Sequence, residues 1–282
     1  METLPLVSTE WLAEHLSAPD IRILDGSWYL PAEKRDALAE YKREHVPGAI
    51  FFDIDLFSDQ SSPYPHMLPA PAEFAARAKA LGIGDGHRVI AYDTAGLFSA
   101  ARVWWMFKVM GHNDVAVLDG GFPKWKREKR PVDDMVPVLT ERHFMPRPNH
   151  ALVRDAGQVK NALASKAEKI VDVRSAERFQ GKAPEPRPGV RAGHMPGALN
   201  LPYKELMAQD GTLLKGAALE QKLAAVGVTP NEPVVASCGS GVTAAILALA
   251  LTSLGSKRVS VYDGSWAEWG SRGDLPITTG AP

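Results

Sequence analysis

The sequence predicts an α/β protein made of two similar domains in tandem, each with a mainly parallel sheet flanked by helices. Three observations support this prediction. The motif HVPGA at residues 45–49 returns as HMPGA at residues 194–198. Short β-rich runs alternate with helical patterns in both halves, which is typical of a parallel sheet covered by helices. A proline-containing stretch without a sustained apolar period separates the halves.

The repeat extends beyond this motif. The matching landmarks are ILD at residues 23–25 with VD at 171–172, VIAYD at 89–93 with VVASC at 234–238, and DGG at 119–121 with DGS at 263–265. Each copy exceeds 100 residues, the size of a domain and not of a solenoid repeat. We therefore predict one domain over residues 1–130, a linker over 131–150 and a second domain over 151–282.

The elements follow from periodicity. In the first half, RVIAY at residues 88–92 predicts a strand, and residues 98–110 have a helical pattern. In the second half, PVVAS at 233–237 predicts a short buried strand, and the alanine- and leucine-rich residues 242–254 predict an apolar helix. Residues 238–241 must then turn at the carboxyl end of a strand, where open α/β sheets bind ligands.

Composition excludes several functional classes. The formal net charge of -1, from 32 basic and 33 acidic residues, gives no overall attraction to nucleic acid or to an anionic membrane. The longest apolar run, near residues 244–251, is far shorter than the roughly 20 residues of a membrane-spanning helix. We expect small-molecule partners, and neither nucleic acid nor a membrane.

Cysteine usage points to a compartment. The chain has one cysteine, Cys238, which excludes an intramolecular disulfide. The N-terminal residues lack the basic start and apolar run of a secretory signal. Both features favour a reducing, cytoplasmic setting.

Cys238 is also the strongest candidate for a catalytic group. It opens the loop CGSGVT at residues 238–243, where Gly239 and Gly241 let backbone N–H groups converge on one point. Unpaired amides at the start of the next helix favour a thiolate over a thiol. An inert buried cysteine is common, but the position between a buried strand, a glycine-rich turn and a helix favours a nucleophile.

This loop resembles the tandem-domain rhodanese family, and in particular its 3-mercaptopyruvate sulfurtransferase branch. Further resembling stretches are DID at residues 53–55, SPYPHMLP at 62–69, RVWW at 102–105, EPR at 185–187 and YDGSW at 262–266. The resemblance covers nearly the whole chain. It implies a sulfurtransferase that carries sulfur as a persulfide on Cys238, with no cofactor and no metal.

The first copy has Asp93 at the position of Cys238. An aspartate cannot accept sulfane sulfur. We therefore expect the first domain to be catalytically inactive while keeping the fold.

The resemblance also implies a sulfur donor. Thiosulfate-preferring relatives carry basic residues directly after the cysteine, whereas Gly239 and Ser240 are neutral. The carboxylate and ketone of 3-mercaptopyruvate suit guanidinium forks, and the resemblance assigns them to Arg178 and Arg187. The loop residues that complete the predicted substrate-binding set are Gly239, Gly241, Val242 and Thr243.

The resemblance further assigns proton transfer. Asp55 and His66 align with family residues that join Ser240 in a relay near the sulfur, and such a set would protonate the departing enolate of pyruvate. By spacing alone, the sequence favours a turn or cap role for Asp55 and a loop position for His66 over a catalytic role. The persulfide would then pass its sulfur to a thioredoxin-like protein, a small thiol or cyanide.

Three other functions would also use a reactive cysteine. A thiosulfate:cyanide sulfurtransferase would use the same nucleophile, and a persulfide relay or regulatory partner would use it without turnover. A cysteine phosphatase needs an arginine six residues after the nucleophile, where this chain has Ala244.

The repeated DGG/DGS motifs and the repeated histidines are expected to have structural roles. Asp119 and Ser265 are expected to cap the short helices that follow the DGG and DGS motifs. His45 and His194 lack the Cys/His spacing of a metal site, so a structural role in the repeated turn is expected.

Overall fold

The computed structural model describes residues 4–281, and within them the chain divides into two compact units. The first unit runs from the start of the described chain to Gln60 and includes Leu68–Asn149 and Gln209–Leu213. The second comprises Ser61–Met67, His150–Ala208 and the chain from Leu214 onward. Each unit thus includes one short segment from the other half of the sequence, and the domain boundaries at residues 130 and 151 stay predictions.

The first unit contains a five-stranded parallel sheet in the order β1-β5-β4-β2-β3. Its strands are β1 (Leu6–Val7), β2 (Ile21–Asp25), β3 (Ile50–Phe51), β4 (Arg88–Tyr92) and β5 (Val115–Leu118). Its helices are α1 (Thr9–Glu14), α2 (Ala37–Arg43), α3 (Pro71–Ala80), α4 (Ala100–Val109) and α5 (Gly121–Arg127), with a 3-10 turn at Pro31–Glu33.

The second unit repeats this arrangement, with sheet order β6-β10-β9-β7-β8 and parallel pairing throughout. Its strands are β6 (Val153–Arg154), β7 (Lys169–Asp172), β8 (Leu199–Asn200), β9 (Val234–Ser237) and β10 (Val259–Tyr262). Its helices are α6 (Ala156–Ser165), α7 (Ala176–Phe179), α8 (Gly216–Ala225), α9 (Ala244–Ser253) and α10 (Ser265–Trp269), with 3-10 turns at His150–Leu152 and Tyr203–Leu206.

The matching strand orders confirm the predicted duplicated α/β fold. The central strand β9 is buried at every residue, because helices cover both faces of a parallel sheet and its strands become continuous apolar runs. Helix α9 is apolar all round and buried from Ala244 to Leu251, as expected for a helix enclosed by its surroundings. The carboxyl end of β9 therefore adjoins the buried core of the second unit.

The repeated histidines lie at equivalent points of the two units. Nδ1 of His45 donates to the carbonyl oxygen of Tyr41 at 2.7 Å, and Nδ1 of His194 donates to that of Phe179 at 2.8 Å. Each imidazole also stacks on the ring of the same partner, with centroids 4.2 and 3.7 Å apart. These contacts give both histidines a structural role.

Helix starts differ from the predictions. Helices α4 and α9 begin at Ala100 and Ala244, two residues later than the apolar patterns indicate, because the preceding residues complete the turn from the strand. The short helices α5 and α10 have Gly120 and Gly264 as N-caps and no side-chain cap. The expected capping by aspartate or serine was therefore wrong.

The proline-containing stretch belongs to the first unit through Asn149 and packs against the rest of that unit. Phe144 is 1% exposed and contacts the rings of Phe74 and Phe107, with centroids 5.8 and 6.1 Å away. The amide of Arg147 donates to the carbonyl oxygen of Met110 at 2.8 Å. Backbone pairing and one buried ring thus hold a segment that has no regular secondary structure. Between residues 4 and 281, no helix is both long and apolar enough to cross a bilayer.

Candidate active site

Cys238 follows the last residue of β9, the central strand of the second sheet, and is 2% exposed. Its backbone is held from both sides. The Cys238 amide donates to Oγ of Ser265 at 3.2 Å, and its carbonyl oxygen accepts from the amide of Trp266 at 3.0 Å. The start of α10 therefore fixes the direction in which the cysteine leaves the strand.

Ser265 has a role that the sequence did not predict. Its φ of 47° lies in the left-handed region, where a non-glycine residue costs about 1–3 kcal/mol and persists only if its surroundings require it. The first unit has Gly121 at the matching position, with φ 54°. The Ser265 hydroxyl donates to the carbonyl oxygen of Tyr262 at 2.8 Å and accepts from Cys238. It orients the cysteine backbone and does not cap the helix.

The loop after Cys238 is short and tightly turned. Gly241 has φ 78°, a conformation that favours glycine, and Val242 is 3% exposed. Thr243 is the N-cap of α9 and makes no side-chain cap bond. The loop residues predicted for substrate binding therefore lie together between Cys238 and the first turn of α9.

The first unit displays the anion-binding capacity of such a loop. Asp93 follows β4 as Cys238 follows β9, and its Oδ2 accepts from the amides of Phe98, Ser99 and Ala100 at 2.7, 2.9 and 2.8 Å. Its Oδ1 accepts from the amide of Ala95 at 2.9 Å. A negative charge at this point is thus held by four backbone N–H groups around the start of the helix.

His66 and Ser240 meet in the second unit. Nδ1 of His66 lies 2.9 Å from Oγ of Ser240, and the two residues are 4% and 6% exposed. His66 has φ 61°, the left-handed conformation that histidine adopts more readily than most residues. The structure therefore joins two of the predicted proton-transfer residues, although 174 positions separate them.

Arg178 lies beside the loop. It belongs to the short helix α7, whose N-cap Ser175 accepts from the Arg178 amide. A Cβ atom placed on Gly239 would be 3.1 Å from Nη2 and 3.7 Å from Nη1 of Arg178. The guanidinium thus packs against the backbone of the residue next to Cys238, in space that only glycine leaves open.

The two remaining predicted site residues, Asp55 and Arg187, belong to different units. Asp55 belongs to the first unit, where its Oδ2 accepts from Nε1 of Trp28 at 3.0 Å. Arg187 is half-buried in the loop that follows α7 in the second unit. Their roles in the relay and in substrate binding stay predictions.

Comparison with known families decides the classification. The family described as Rhodanese-like domain matches residues 8–128 and again residues 155–272. These matches cover most of both halves. The chain belongs to the rhodanese family.

Individual rhodanese relatives are similar over nearly their whole length. The 3-mercaptopyruvate sulfurtransferase of Escherichia coli (strain K12) is 42% identical over 278 residues, covering 98% of this chain and 99% of the relative. The thiosulfate sulfurtransferase of Bos taurus is 42% identical over 271 residues, covering 94% and 91%. The crystal structure of Escherichia coli SseA, a 3-mercaptopyruvate sulfotransferase, matches with TM-score 0.86 and 39% identity, covering 94% of this chain and 99% of that chain.

The relatives from Escherichia coli and Bos taurus are both 42% identical to this chain, but they are named for different sulfur donors. Overall similarity therefore confirms the tandem rhodanese architecture and the predicted sulfurtransferase class, while the names alone do not choose between the donors. Any discrimination has to come from the residues around Cys238. In the described part of the chain, no group of three or more His, Cys, Asp or Glu side chains is placed to hold a metal ion.

Proposed function

We propose that this rhodanese is a sulfurtransferase that takes sulfur from 3-mercaptopyruvate on Cys238, releases pyruvate, and passes the sulfur to a thiol or to cyanide. The supporting observation is the neutral loop after the nucleophile, with the Arg178 guanidinium packed against Gly239. A single carboxylate on the donor suits a guanidinium set back from the reacting sulfur. A doubly charged inorganic donor would favour cations on the loop itself.

In the first half-reaction, the Cys238 thiolate attacks the donor sulfur. A sulfur–sulfur bond forms, the sulfur–carbon bond breaks, and pyruvate leaves as its enolate. The donor thiol supplies the proton that finally resides on the methyl carbon of pyruvate, so one proton moves from sulfur to carbon. His66 and Ser240, 2.9 Å apart, are the groups we assign to this transfer. Asp55 completes the proposed relay.

Substrate positioning is assigned to Arg178 and Arg187, which would hold the carboxylate and the ketone of the donor. The product of the step is an anionic persulfide. The amides of the loop over residues 239–243 and of the first turn of α9 would stabilise it, because the matching turn in the first unit holds the Asp93 carboxylate through four N–H groups. Gly241, Val242 and Thr243 contribute backbone groups to this cradle.

In the second half-reaction, an acceptor thiolate attacks the outer sulfur of the persulfide and regenerates the Cys238 thiolate. Donor and acceptor therefore react in separate steps. A thioredoxin-like protein, a small thiol and cyanide are all chemically competent acceptors. A lone cysteine that must cycle through a thiolate suits a reducing compartment, and the cytoplasm is the location we propose.

The direct test compares two donors at equal concentration with one purified sample. We expect pyruvate release from 3-mercaptopyruvate with a reducing thiol to exceed thiosulfate-to-cyanide transfer. Dominant thiosulfate activity would retain Cys238 as nucleophile and contradict the donor assignment. Absence of turnover with both donors would favour a persulfide relay that accepts sulfur only from another protein.

A further inference from the structure

Arg178 is the end of a chain of buried ion pairs. Its Nε and Nη2 donate to the Oε1 and Oε2 atoms of Glu185 at 3.3 and 2.5 Å. Glu185 is shared, because its Oε1 also accepts from Nη1 of Arg174 at 2.7 Å. The Glu185 side chain is only 4% exposed, so this carboxylate is committed to the two guanidinium groups.

Arg174 is itself held firmly. Its Nε and Nη2 donate to Oδ2 of Asp172 at 2.9 and 2.6 Å, and Nη2 also donates to the carbonyl oxygen of Gly193. The side chains of Arg174 and Asp172 are 1% and 0% exposed. The Arg174 guanidinium lies 4.4 Å above the ring of Trp266, whose amide donates to Cys238. The network therefore rests on the same helix start that orients the nucleophile.

The first unit does not build this network at the matching strand. Asp25 ends β2 as Asp172 ends β7, and both carboxylates accept from the amide two residues later. In the first unit that later residue is Ser27, whose hydroxyl donates to Asp25. In the second unit it is Arg174, which reaches on to Glu185. The ion-pair chain thus belongs to the unit that carries the nucleophile.

The ion pairs determine which edge of Arg178 is available. Glu185 occupies the edge formed by Nε and Nη2, while the Nη end of the guanidinium faces the backbone of Gly239. Among residues 4–281, none accepts a hydrogen bond from Nη1. A donor carboxylate beside Cys238 would therefore meet Arg178 end-on, through Nη1 and the remaining hydrogen of Nη2.

We infer that Glu185, supported by Arg174 and Asp172, is a positioning residue that holds Arg178 in the orientation that binds the donor carboxylate. The inference rests on the proposed function of Arg178. Two carboxylates and two guanidinium groups cancel in formal charge, so the network fixes the direction of the Arg178 fork without raising the net charge of the site. Planar recognition of a carboxylate depends strongly on that direction.

Two effects oppose each other when the charge of Glu185 is removed. The site gains net positive charge, which attracts an anionic donor, but Arg178 loses the partner that restricts its rotamers. We expect the loss of orientation to dominate. Arg178 is 24% exposed, so water and salt screen the added charge, whereas a misdirected fork loses both hydrogen bonds to the donor.

The test measures pyruvate release against 3-mercaptopyruvate concentration for wild type, Glu185→Gln, Arg178→Lys and the double variant. We expect Glu185→Gln to raise KM about tenfold and to leave kcat within about twofold, because uniform binding is lost and the chemical groups remain. In the Arg178→Lys background, Glu185→Gln should raise KM less than about twofold, because the two substitutions disrupt the same interaction with the donor.

A matched control is available in the same unit. Glu168 accepts from Nε and Nη2 of Arg154 at 3.0 and 2.8 Å, and it precedes the amino end of β7, away from the strand ends where Cys238 lies. Glu168→Gln should leave KM unchanged. Glu185→Asp keeps the charge on a shorter side chain, so it should give an intermediate KM, and it serves as the test variant if Glu185→Gln does not fold.

The outcomes separate this inference from the proposed function. If wild type releases no pyruvate from 3-mercaptopyruvate, the proposed function is wrong. If wild type is active and Glu185→Gln or Glu185→Asp binds the donor normally, the function stands and the positioning role is wrong. If Glu185→Gln still raised KM tenfold in the Arg178→Lys background, the two residues would act independently, and the positioning role of Glu185 would be wrong.

Discussion

Gly239 follows Cys238 in the chain and faces the guanidinium of Arg178, where it leaves space that a side chain would occupy. The Cβ of an alanine would lie 3.1 Å from Nη2, closer than ordinary van der Waals contact. Gly239 does not have a positive φ, so its backbone accepts alanine without strain. The conflict would fall entirely on the arginine.

We predict that Gly239→Ala raises KM for 3-mercaptopyruvate roughly fivefold to tenfold, equivalent to about 1 kcal/mol of lost binding. Alkylation of Cys238 by iodoacetamide should proceed at the wild-type rate, because the nucleophile is untouched. Gly273→Ala is the matched control, since nothing lies within 4 Å of a Cβ there. Wild-type KM in Gly239→Ala would mean that Arg178 does not bind the donor from its present position.

At the residue scale, the sequence was a better guide to the candidate reactive residue than to the hydrogen bonds that surround it. Cys238 was identifiable because its loop combines a preceding strand, two glycines and a following helix within a few residues. Ser265 was misassigned as a cap, since its bond to the Cys238 amide joins residues 27 positions apart. Glu185 accepts hydrogen bonds from both Arg174 and Arg178 because a proline-rich loop folds back toward them. The periodicity of the sequence does not predict the path of such a loop.

At the scale of elements, the ends of β2 and β7 illustrate two ways to bury an aspartate. Asp172 pairs with Arg174, as described above. Within the described part of the chain, Asp25 has hydroxyl and amide partners and no cation. Burial therefore raises its pKa to about 6, although the hydrogen bonds from Ser27 lower it. The folded first unit therefore binds a proton at Asp25 more tightly than the unfolded chain does.

A folded pKa above the unfolded value means that stability is lost as pH rises between the two values. Because burial raises the pKa of Asp25 from its ordinary 3.8 to about 6, this group costs about 3 kcal/mol of stability once the pH exceeds both values. We predict that the free energy of unfolding of Asp25→Asn increases relative to wild type by about this amount between pH 4 and pH 7. Urea titrations at several pH values measure it.

The control for this comparison is Asp134→Asn, an exposed aspartate in the same unit. Its stability difference from wild type should not change across the same pH range. A pH-independent difference for Asp25→Asn would show that the buried carboxyl is not the group that binds the extra proton.

The elements themselves were predictable where the pattern is local. The β4 strand matches its predicted range, and α4 and α9 differ only at their first turns. The segment over residues 131–150 was expected to be a plain linker, yet Phe144 is buried within it. One aromatic residue among prolines gives no periodic signal, so its burial became visible only in the structure.

At the scale of the whole molecule, the chain contains two copies of one fold, and the proposed chemistry belongs to the second copy. Both units place a turn after the central strand. The first fills this turn with the Asp93 carboxylate, and the second presents Cys238. The sequence predicted this asymmetry because the two copies align. The assignment of residues 61–67 and 209–213 to opposite units depends on long-range packing and was not predictable.

The central claim is that Cys238 carries the transferred sulfur, and the most direct measurement is the mass of the Cys238 peptide after reaction with 3-mercaptopyruvate without an acceptor. We predict a gain of one sulfur atom on this peptide, matched in amount by pyruvate and removed by an added thiol. Cys238→Ser should show neither the added mass nor pyruvate release. Pyruvate formation with an unmodified Cys238, or turnover by Cys238→Ser, would contradict the account.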